Sequence, residues 1–344
     1  MFLIKRKNYL FLIFISSIYL NVFAQNKESV SYFQQGVKKY EKKDTKGAIQ
    51  DFSKAIQLDP TYAMAYYNRG FLKVILADYQ GAIQDHTHAV ELKPDYDMAY
   101  DNRAVAKIQL KLFKEAIIDS NKAISLNSKE GSYYNNRGIA YENIKNTQKA
   151  IEDYTKAIEL KSDYAKAYYN RGQLKFNSKK YEDALADFTM VVDLMPTSIE
   201  ALQARALTLF HSTNYEKAIE DYTKIIELNP NSAETYNNRG FSYEALKKTD
   251  QAIKDYTQSI QLNSSYLKAY YNRAHAYEQL EKLDLALTDY TKIITLNAKE
   301  GMAYYLRGNI KFKQKDHSAA CLDWRNAGKY SVIDAYPLIK KYCK

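Results

Sequence analysis

Small and apolar residues recur along this chain with the period of an α-helix, in pairs of short segments. Tyr66 and Gly70 lie four residues apart in one segment, and Ala82, His86 and Ala89 follow at spacings of four and three in the next. Such spacing predicts two amphipathic helices in succession. A proline can begin a helix but cannot continue one, and prolines end several of these pairs: Pro60, Pro94 and Pro230.

The helix pairs repeat every 34 residues, as an arginine and an aspartate show most clearly. The arginines are Arg69, Arg103, Arg137, Arg171, Arg205, Arg239, Arg273 and Arg307. The aspartates are Asp51, Asp85, Asp119, Asp153, Asp187, Asp221, Asp255, Asp289 and Asp323. A fixed period of this length predicts a tandem array of one supersecondary unit, not a mosaic of unlike domains. The units span 29–62, 63–96, 97–130, 131–164, 165–198, 199–232, 233–266, 267–300 and 301–334.

The repeated unit resembles the tetratricopeptide repeat. That family has an aromatic residue, a small residue four positions later, an alanine in the second helix and another aromatic residue four beyond it. The first aromatic residue is Tyr32, Tyr66, Tyr100, Tyr134, Tyr168, Tyr236, Tyr270 and Tyr304. The alanine is present in every unit: Ala48, Ala82, Ala116, Ala150, Ala184, Ala218, Ala252, Ala286 and Ala320. The second aromatic residue is replaced at His86 and Ser120.

The resemblance implies an all-α fold, an α-solenoid of nine tandem helix-turn-helix repeats forming a right-handed superhelix with an inner groove. One helix pair cannot bury both of its faces, so neighbouring repeats must cover them. At the ends we expect a lysine-rich polar surface on the first repeat and a C-terminal cap helix within 335–344. Asp334 is the expected N-cap of that helix, and Pro337 is tolerated in its first turn.

Eight arginines and nine aspartates in register predict a ladder of structural ion pairs between helices. Every unit after the first has both residues, whereas a binding site would vary along the array. The pairs could form within a repeat or between adjacent repeats.

The N-terminus predicts export. Lys5, Arg6 and Lys7 precede an apolar run of about 15 residues, which is shorter than the roughly 20 that cross a membrane. We expect a signal peptide at residues 1–24, cleaved after Ala24, and a periplasmic or secreted protein without an integral membrane segment; the alternative is an uncleaved anchor. The net charge of +10 is read as a lysine-rich solvated surface, and an exported protein is not expected to bind nucleic acid.

Cys321 and Cys343 are the only cysteines. In an exported chain such a pair is a disulfide candidate, which would hold the cap helix against the ninth repeat. Two free thiols are the alternative.

The candidate peptide-binding groove contains an asparagine row and a tyrosine row. The asparagines precede the arginines: Asn68, Asn102, Asn136, Asn170, Asn238 and Asn272. The tyrosines come one residue earlier: Tyr67, Tyr169, Tyr271 and Tyr305. On the family's geometry both rows face the inner groove, where amides could hold the main chain of a bound segment. Family-wide preference for asparagine and packing between helices are the alternatives. Further along, the groove positions mix Phe210 and Phe241 with Glu142, Glu244 and Glu278, which favours either a basic ligand or a solvated face.

Catalysis finds no support in the sequence. No histidine pair has metal-ligand spacing, and outside the repeats there is no stretch left for a catalytic domain. The lysine of a carboxylate clamp is missing as well. We therefore expect no enzyme activity, cofactor or metal, and a scaffold that binds a protein or peptide partner in the groove. The alternative is an architectural subunit of a cell-envelope assembly that docks through its convex face or its ends. The oligomeric state is left open.

Overall fold

Each 34-residue period folds as two α-helices joined by a short turn. The computed structural model describes residues 27–343, and within this range it contains 19 helices and no β-strand. The predicted all-α fold of tandem helix-turn-helix repeats is therefore confirmed. The predicted signal peptide lies outside the described residues, and the right-handed superhelix stays a prediction.

The helices form two compact units, the first ending at Leu160 and the second beginning at Lys161. The first contains α1 (Lys27–Glu41), α2 (Thr45–Leu58), α3 (Ala63–Ile75), α4 (Tyr79–Leu92), α5 (Asp97–Gln109), α6 (Phe113–Leu126), α7 (Gly131–Asn143) and α8 (Thr147–Leu160). The second contains α9 (Ala165–Asn177), α10 (Tyr181–Leu194), α11 (Ile199–His211), α12 (Tyr215–Leu228), α13 (Ala233–Ala245), α14 (Thr249–Leu262), α15 (Leu267–Gln279), α16 (Leu283–Leu296), α17 (Gly301–Lys313), α18 (His317–Lys329) and α19 (Ala335–Tyr342). Odd-numbered helices up to α17 are the first helices of their pairs, and even-numbered helices are the second.

The turn inside each pair contains a residue with positive φ that is never glycine. The residues are Lys43, Ala77, Lys111, Lys145, Lys179, Thr213, Lys247, Glu281 and Lys315. Around the first of them, the amide of Lys43 donates to the carbonyl of Tyr40 and the amide of Asp44 to that of Lys39. These bonds satisfy carbonyls that the end of a helix leaves unpaired, so a left-handed residue closes every turn.

Small residues on the first helix make room for large ones on the second. A Cβ added at Gly138 would lie 2.7 Å from the ring of Tyr154, and one at Gly240 would lie 2.8 Å from the ring of Tyr256. The core continues from one pair to the next, since Val191 of α10 packs with Leu202 of α11 and Tyr222 of α12. Each pair is thus completed by its neighbour.

The last helix, α19, packs against α18. Leu338 and Ile339 join the apolar cluster around Trp324, as expected of a cap. Asp334 stands at the N-cap position of this helix as predicted, but its backbone is already helical (φ −64°, ψ −14°) and its side chain makes no capping bond. A disulfide joins Cys343, at the end of this helix, to Cys321 of α18.

Candidate functional site

Each arginine of the series pairs with the aspartate of its own repeat. In the fourth repeat, Arg137 donates from Nε to Oδ2 of Asp153 over 2.8 Å and from Nη2 to Oδ1 over 2.6 Å. The same two bonds join Arg69 to Asp85, Arg103 to Asp119, Arg171 to Asp187, Arg205 to Asp221, Arg239 to Asp255, Arg273 to Asp289 and Arg307 to Asp323. The pairing left open by the sequence therefore runs within repeats, and in the first repeat Lys39 lies 2.8 Å from Asp51 instead.

The remaining guanidinium nitrogen links the arginine to the preceding repeat. Nη1 of Arg239 donates to Oγ1 of Thr223 over 3.1 Å, and the guanidinium lies over the ring of Tyr236. Equivalent links to the preceding repeat join Arg69 to Ser53, Arg103 to Thr87, Arg137 to Asn121, Arg273 to Thr257 and Arg307 to Thr291. The hydrogen bond to Asp255 raises the pKa of Arg239. With its partners inside the fold, the arginine ladder is structural and offers little to a ligand.

The predicted asparagine row lies between successive first helices. The amide nitrogen of Asn102 donates to the hydroxyl of Tyr67 over 3.0 Å, and that of Asn136 donates to Asp101 over 2.8 Å. Both asparagines are buried. Asn272 donates in the same way to Asn237, whereas Asn68 donates to the carbonyl of Met64 on its own helix.

Asn102, Asn136 and Asn272 therefore join one first helix to the next. Asn238 accepts a bond of 3.4 Å from Asn237, and Asn170 is half-buried on α9. Asn102, Asn136 and Asn272 each use one amide N–H within the chain, and binding of a segment by the asparagine row stays a prediction.

The predicted tyrosine row is half-buried against aromatic neighbours. The Tyr67 ring lies 4.8 Å from that of Tyr96, and the Tyr169 ring lies 5.7 Å from that of Phe188. Tyr271 donates to Glu300 over 3.2 Å, and Tyr305 packs on the apolar cluster of α18 and α19. These side chains pack between helices, and each exposes only part of its surface.

Three groove glutamates have a role that the sequence reading missed. Tyr154 donates its phenol to Glu142, Tyr256 to Glu244 and Tyr290 to Glu278, each over 2.7 Å. Burial, together with the adjacent carboxylate, raises the pKa of these tyrosines. The expectation of a merely solvated acidic face is therefore wrong at these positions. A signal was present: each glutamate precedes a core tyrosine by one fixed interval, and Phe210 replaces it before Tyr222.

A partly exposed cluster of rings lies on first helices of the second unit and on the first residues of α10 and α12. We call it the aromatic patch; its members are Phe176, Tyr181, Phe210, His211, Tyr215 and Phe241. The rings of Phe210 and Phe241 stack with centroids 5.1 Å apart. Phe241 is 47 % exposed, and Leu207, at the same repeat position one repeat earlier, is 40 % exposed. Exposed apolar residues gathered in this way mark interaction surfaces.

A polar network adjoins the aromatic patch, one turn along α13. Glu244 receives the phenol of Tyr256 on one oxygen, while its other oxygen lies 2.6 Å from Nδ1 of His275 and 2.9 Å from the amide nitrogen of Gln279. The side chain of His275 is 64 % exposed, but that of Glu244 is only 8 % exposed. The surface beside the aromatic patch therefore offers hydrogen-bonding groups held in place by a buried carboxylate.

Residues 27–343 hold no group of three or more histidine, cysteine, aspartate or glutamate side chains suited to a metal ion. None of the helices described for this chain is long and apolar enough to cross a membrane.

Models of tetratricopeptide repeats match most of the chain. One model described as "Tetratricopeptide repeat" matches residues 132–164, 233–266 and 267–299, and a second matches 99–130 and 165–197. A model described as "TPR repeat" matches 32–74 and 209–247. Among curated proteins, none matches this sequence.

Solved structures show the same fold. The C-terminal part of a TPR repeat-containing protein from Cytophaga hutchinsonii superposes with a TM-score of 0.62 at 18 % identity, covering 69 % of this chain and 97 % of that one. A tetratricopeptide repeat protein from Parabacteroides merdae has a TM-score of 0.52 at 19 % identity, over 76 % and 100 % of the two chains. With the repeat geometry and the family matches in agreement, the chain belongs to the tetratricopeptide-repeat family.

Proposed function

We propose that this protein is a non-enzymatic scaffold that binds a protein segment on the first helices of its second unit. Tetratricopeptide repeats generally serve as interaction scaffolds. The observation that carries the proposal is the stacked, half-exposed pair Phe210 and Phe241. Aromatic residues that are rigid and partly exposed supply much of the binding energy at protein interfaces.

The chemistry of the surface favours apolar anchoring of the segment. Leu207 and Phe241 offer open apolar area, whereas Asn102, Asn136 and Asn272 each have one amide N–H engaged within the chain. The bound segment is therefore expected to carry large apolar side chains, with polar groups directed toward His275 and Gln279.

The test is binding of peptides selected from a displayed random library by the purified protein. Phe241→Ser should weaken the selected peptides by about tenfold or more, because an anchor in a desolvated contact contributes roughly 1.4 kcal/mol or more. Ile118→Ser is the matched control, since Ile118 is 66 % exposed on α6 of the other unit. If the Phe241→Ser variant and the parent protein bound the selected peptides with equal affinity, the aromatic patch would not be the docking surface. Partner crosslinks confined to the second helices would favour the architectural alternative.

We also propose that the scaffold works outside the cytoplasm, in the periplasm or as a secreted protein. The predicted signal peptide supports this location, and so does the pairing of both cysteines in one disulfide, since disulfides persist in oxidising compartments. Fractionation of the producing cells with an antibody to the protein tests it, and recovery of uncleaved protein from the cytoplasm would contradict it.

A further inference from the structure

A cavity of about 310 Å³ lies where α19 meets the first helices of the last two repeats. Its apolar walls are Leu306 and Phe312 of α17, Trp324 of α18, and Leu338 and Tyr342 of α19. Phe312 stands at the repeat position that Phe210 occupies in the aromatic patch, three repeats later. The cavity therefore belongs to the same series of groove positions.

The wall formed by α19 is held in place by covalent and aromatic contacts. The disulfide joins the end of this helix to α18, and the ring of Tyr342 lies 4.6 Å from that of Phe312. The phenol of Tyr336 also donates to the carbonyl of Gly328 over 3.0 Å. A wall fixed at several points gives the cavity a defined shape before any ligand binds, which lowers the entropy cost of binding.

Three polar side chains line the cavity, namely Glu278, Asn309 and the exposed Lys313, and the first two offer one acceptor and one donor. Glu278 accepts the phenol of Tyr290 on Oε1, and Oε2 has no hydrogen bond among the described residues. Asn309 accepts the indole N–H of Trp324 on Oδ1, so its Nδ2 is left as a donor. A peptide unit carries one N–H donor and one C=O acceptor. Glu278 and Asn309 thus match the main chain of a peptide beside an apolar side chain, and the charges of Glu278 and Lys313 are opposite in sign.

We propose that this cavity binds one large apolar side chain of the partner segment, with Glu278 and Asn309 pairing with its main-chain N–H and C=O. This inference rests on the proposed function, because it assigns a second anchoring point to the same bound segment. A cavity of this size, with apolar walls and a few placed polar groups, is of the kind that holds small ligands. The occupant is a leucine-like or phenylalanine-like residue within a chain, not a free amino acid.

Trp324 makes the proposal directly measurable, because it is the only tryptophan of the chain and lines the cavity. The intact disulfide-bonded protein is titrated with N-acetyl-leucinamide and N-acetyl-phenylalaninamide while Trp324 fluorescence is followed. A saturable change with an affinity in about the millimolar range is expected, given the small size of these probes. N-acetyl-glycinamide should give no saturable change. Absence of saturation with the first two probes, or equally tight binding of free leucine, would overturn the proposal.

Two variants separate cavity binding from a general effect on the protein. Leu338→Phe narrows the cavity and should weaken N-acetyl-leucinamide by about tenfold or more. Ile333→Phe adds the same ring at a site that is 77 % exposed and outside the cavity, and should leave the affinity unchanged. Equal affinities in these two variants, at equal thermal midpoints, would count against the cavity.

Failure of the cavity inference and failure of the proposed function would give different results. If selected peptides lose affinity in Phe241→Ser but the amide probes leave Trp324 unchanged, the scaffold stands and the cavity inference fails. If Trp324 responds to the probes while Phe241→Ser has no effect on peptides, the aromatic patch fails and the cavity stands.

Discussion

The amide nitrogen of Asn272 donates a hydrogen bond of 2.9 Å to Oδ1 of Asn237, which lies on the preceding first helix. Asn237 is buried, so its oxygen would lose this donor if the partner were shortened. Leaving a buried acceptor without a donor costs roughly 1–3 kcal/mol. The asparagine row thus contributes to stacking of repeats.

The first prediction tests this stacking role. Asn272→Ala should lower the free energy of unfolding by about 1–2 kcal/mol, measured by urea denaturation followed by circular dichroism. Asn68→Ala is the matched control, because the amide of Asn68 bonds only to the carbonyl of Met64 on its own helix. It should change stability by less than about 0.5 kcal/mol. Two equal losses would show that the link between repeats contributes nothing measurable.

The second prediction concerns the arginine ladder. Arg239→Ala leaves the buried carboxylate of Asp255 without its two-bond partner, and breaking such a pair costs about 3–5 kcal/mol. Lys254→Ala, one residue before Asp255 but on the exposed side of α14, should have little effect. The midpoint of thermal unfolding is measured for both variants in parallel. An unchanged midpoint for Arg239→Ala would refute the structural role of the arginine ladder.

The third prediction rests on His86, which is fully buried with no hydrogen bond to either ring nitrogen. Burial lowers the pKa of His86 to about 3. Between pH 6.5, the ordinary pKa of histidine, and pH 3, the unfolded chain binds a proton at this residue that the folded protein does not bind. The free energy of unfolding is therefore unaffected by titration of His86 above pH 6.5. It falls as the pH drops from 6.5 toward 3, by up to about 1.4 kcal/mol per pH unit.

His86→Phe should therefore stabilise the protein, and more so at low pH. Phe52 and Phe188 fill the same position in other repeats, each facing a glycine as His86 faces Gly70. At pH 7 we expect a gain of about 1–3 kcal/mol, from removing two unpaired polar atoms. Urea titrations at pH 7 and pH 5 measure the difference. His88→Gln is the control, since the side chain of His88 is 57 % exposed. A pH dependence unchanged in His86→Phe would contradict the assignment.

The fourth prediction concerns the left-handed turn residues. Lys111 has φ 62° and is exposed between α5 and α6. Glycine adopts this conformation without strain, so Lys111→Gly should raise the free energy of unfolding by about 0.5 kcal/mol after the entropy of the unfolded chain is counted. Lys122→Gly, at an exposed position in the interior of α6, should instead lower it by about 1 kcal/mol. Chemical denaturation resolves the opposite signs, and losses in both variants would disprove the benefit at the turn.

Much of the fold could be predicted from the sequence because its determinants are local and repeated. The arginine–aspartate period and the spacing of small residues specify two helices per unit, and the structure has them. The 34-residue period alone does not identify the partner of each arginine, because Arg239 has an aspartate at a fixed distance on either side of it in the sequence, Asp221 before it and Asp255 after it. Only the orientation of the two helices, which places Thr223 and Asp255 on either side of the guanidinium, decides it.

The candidate site was harder to predict for a physical reason. Whether a groove side chain is open to a ligand depends on what the adjacent helix places against it. The acceptor of Asn136 is Asp101 on the preceding first helix, and the acceptor of the Tyr154 phenol is Glu142 on its partner helix. Neither contact follows from the family pattern. The aromatic patch likewise depends on Phe210 and Phe241 occupying different positions of successive repeats that happen to meet.

The arginine bonds have a consequence for how such a chain can change its length. Each arginine of the series takes its aspartate from its own repeat. In addition, Arg69, Arg103, Arg239, Arg273 and Arg307 each donate to a hydroxyl of the repeat before, so these repeats are joined by one interchangeable type of link. Excision of residues 233–266 would bring Thr223 opposite Arg273, which already binds the equivalent hydroxyl of Thr257. Loss of this one repeat therefore leaves a matched junction, whereas a deletion of another length would misalign the link between the two repeats that it joins.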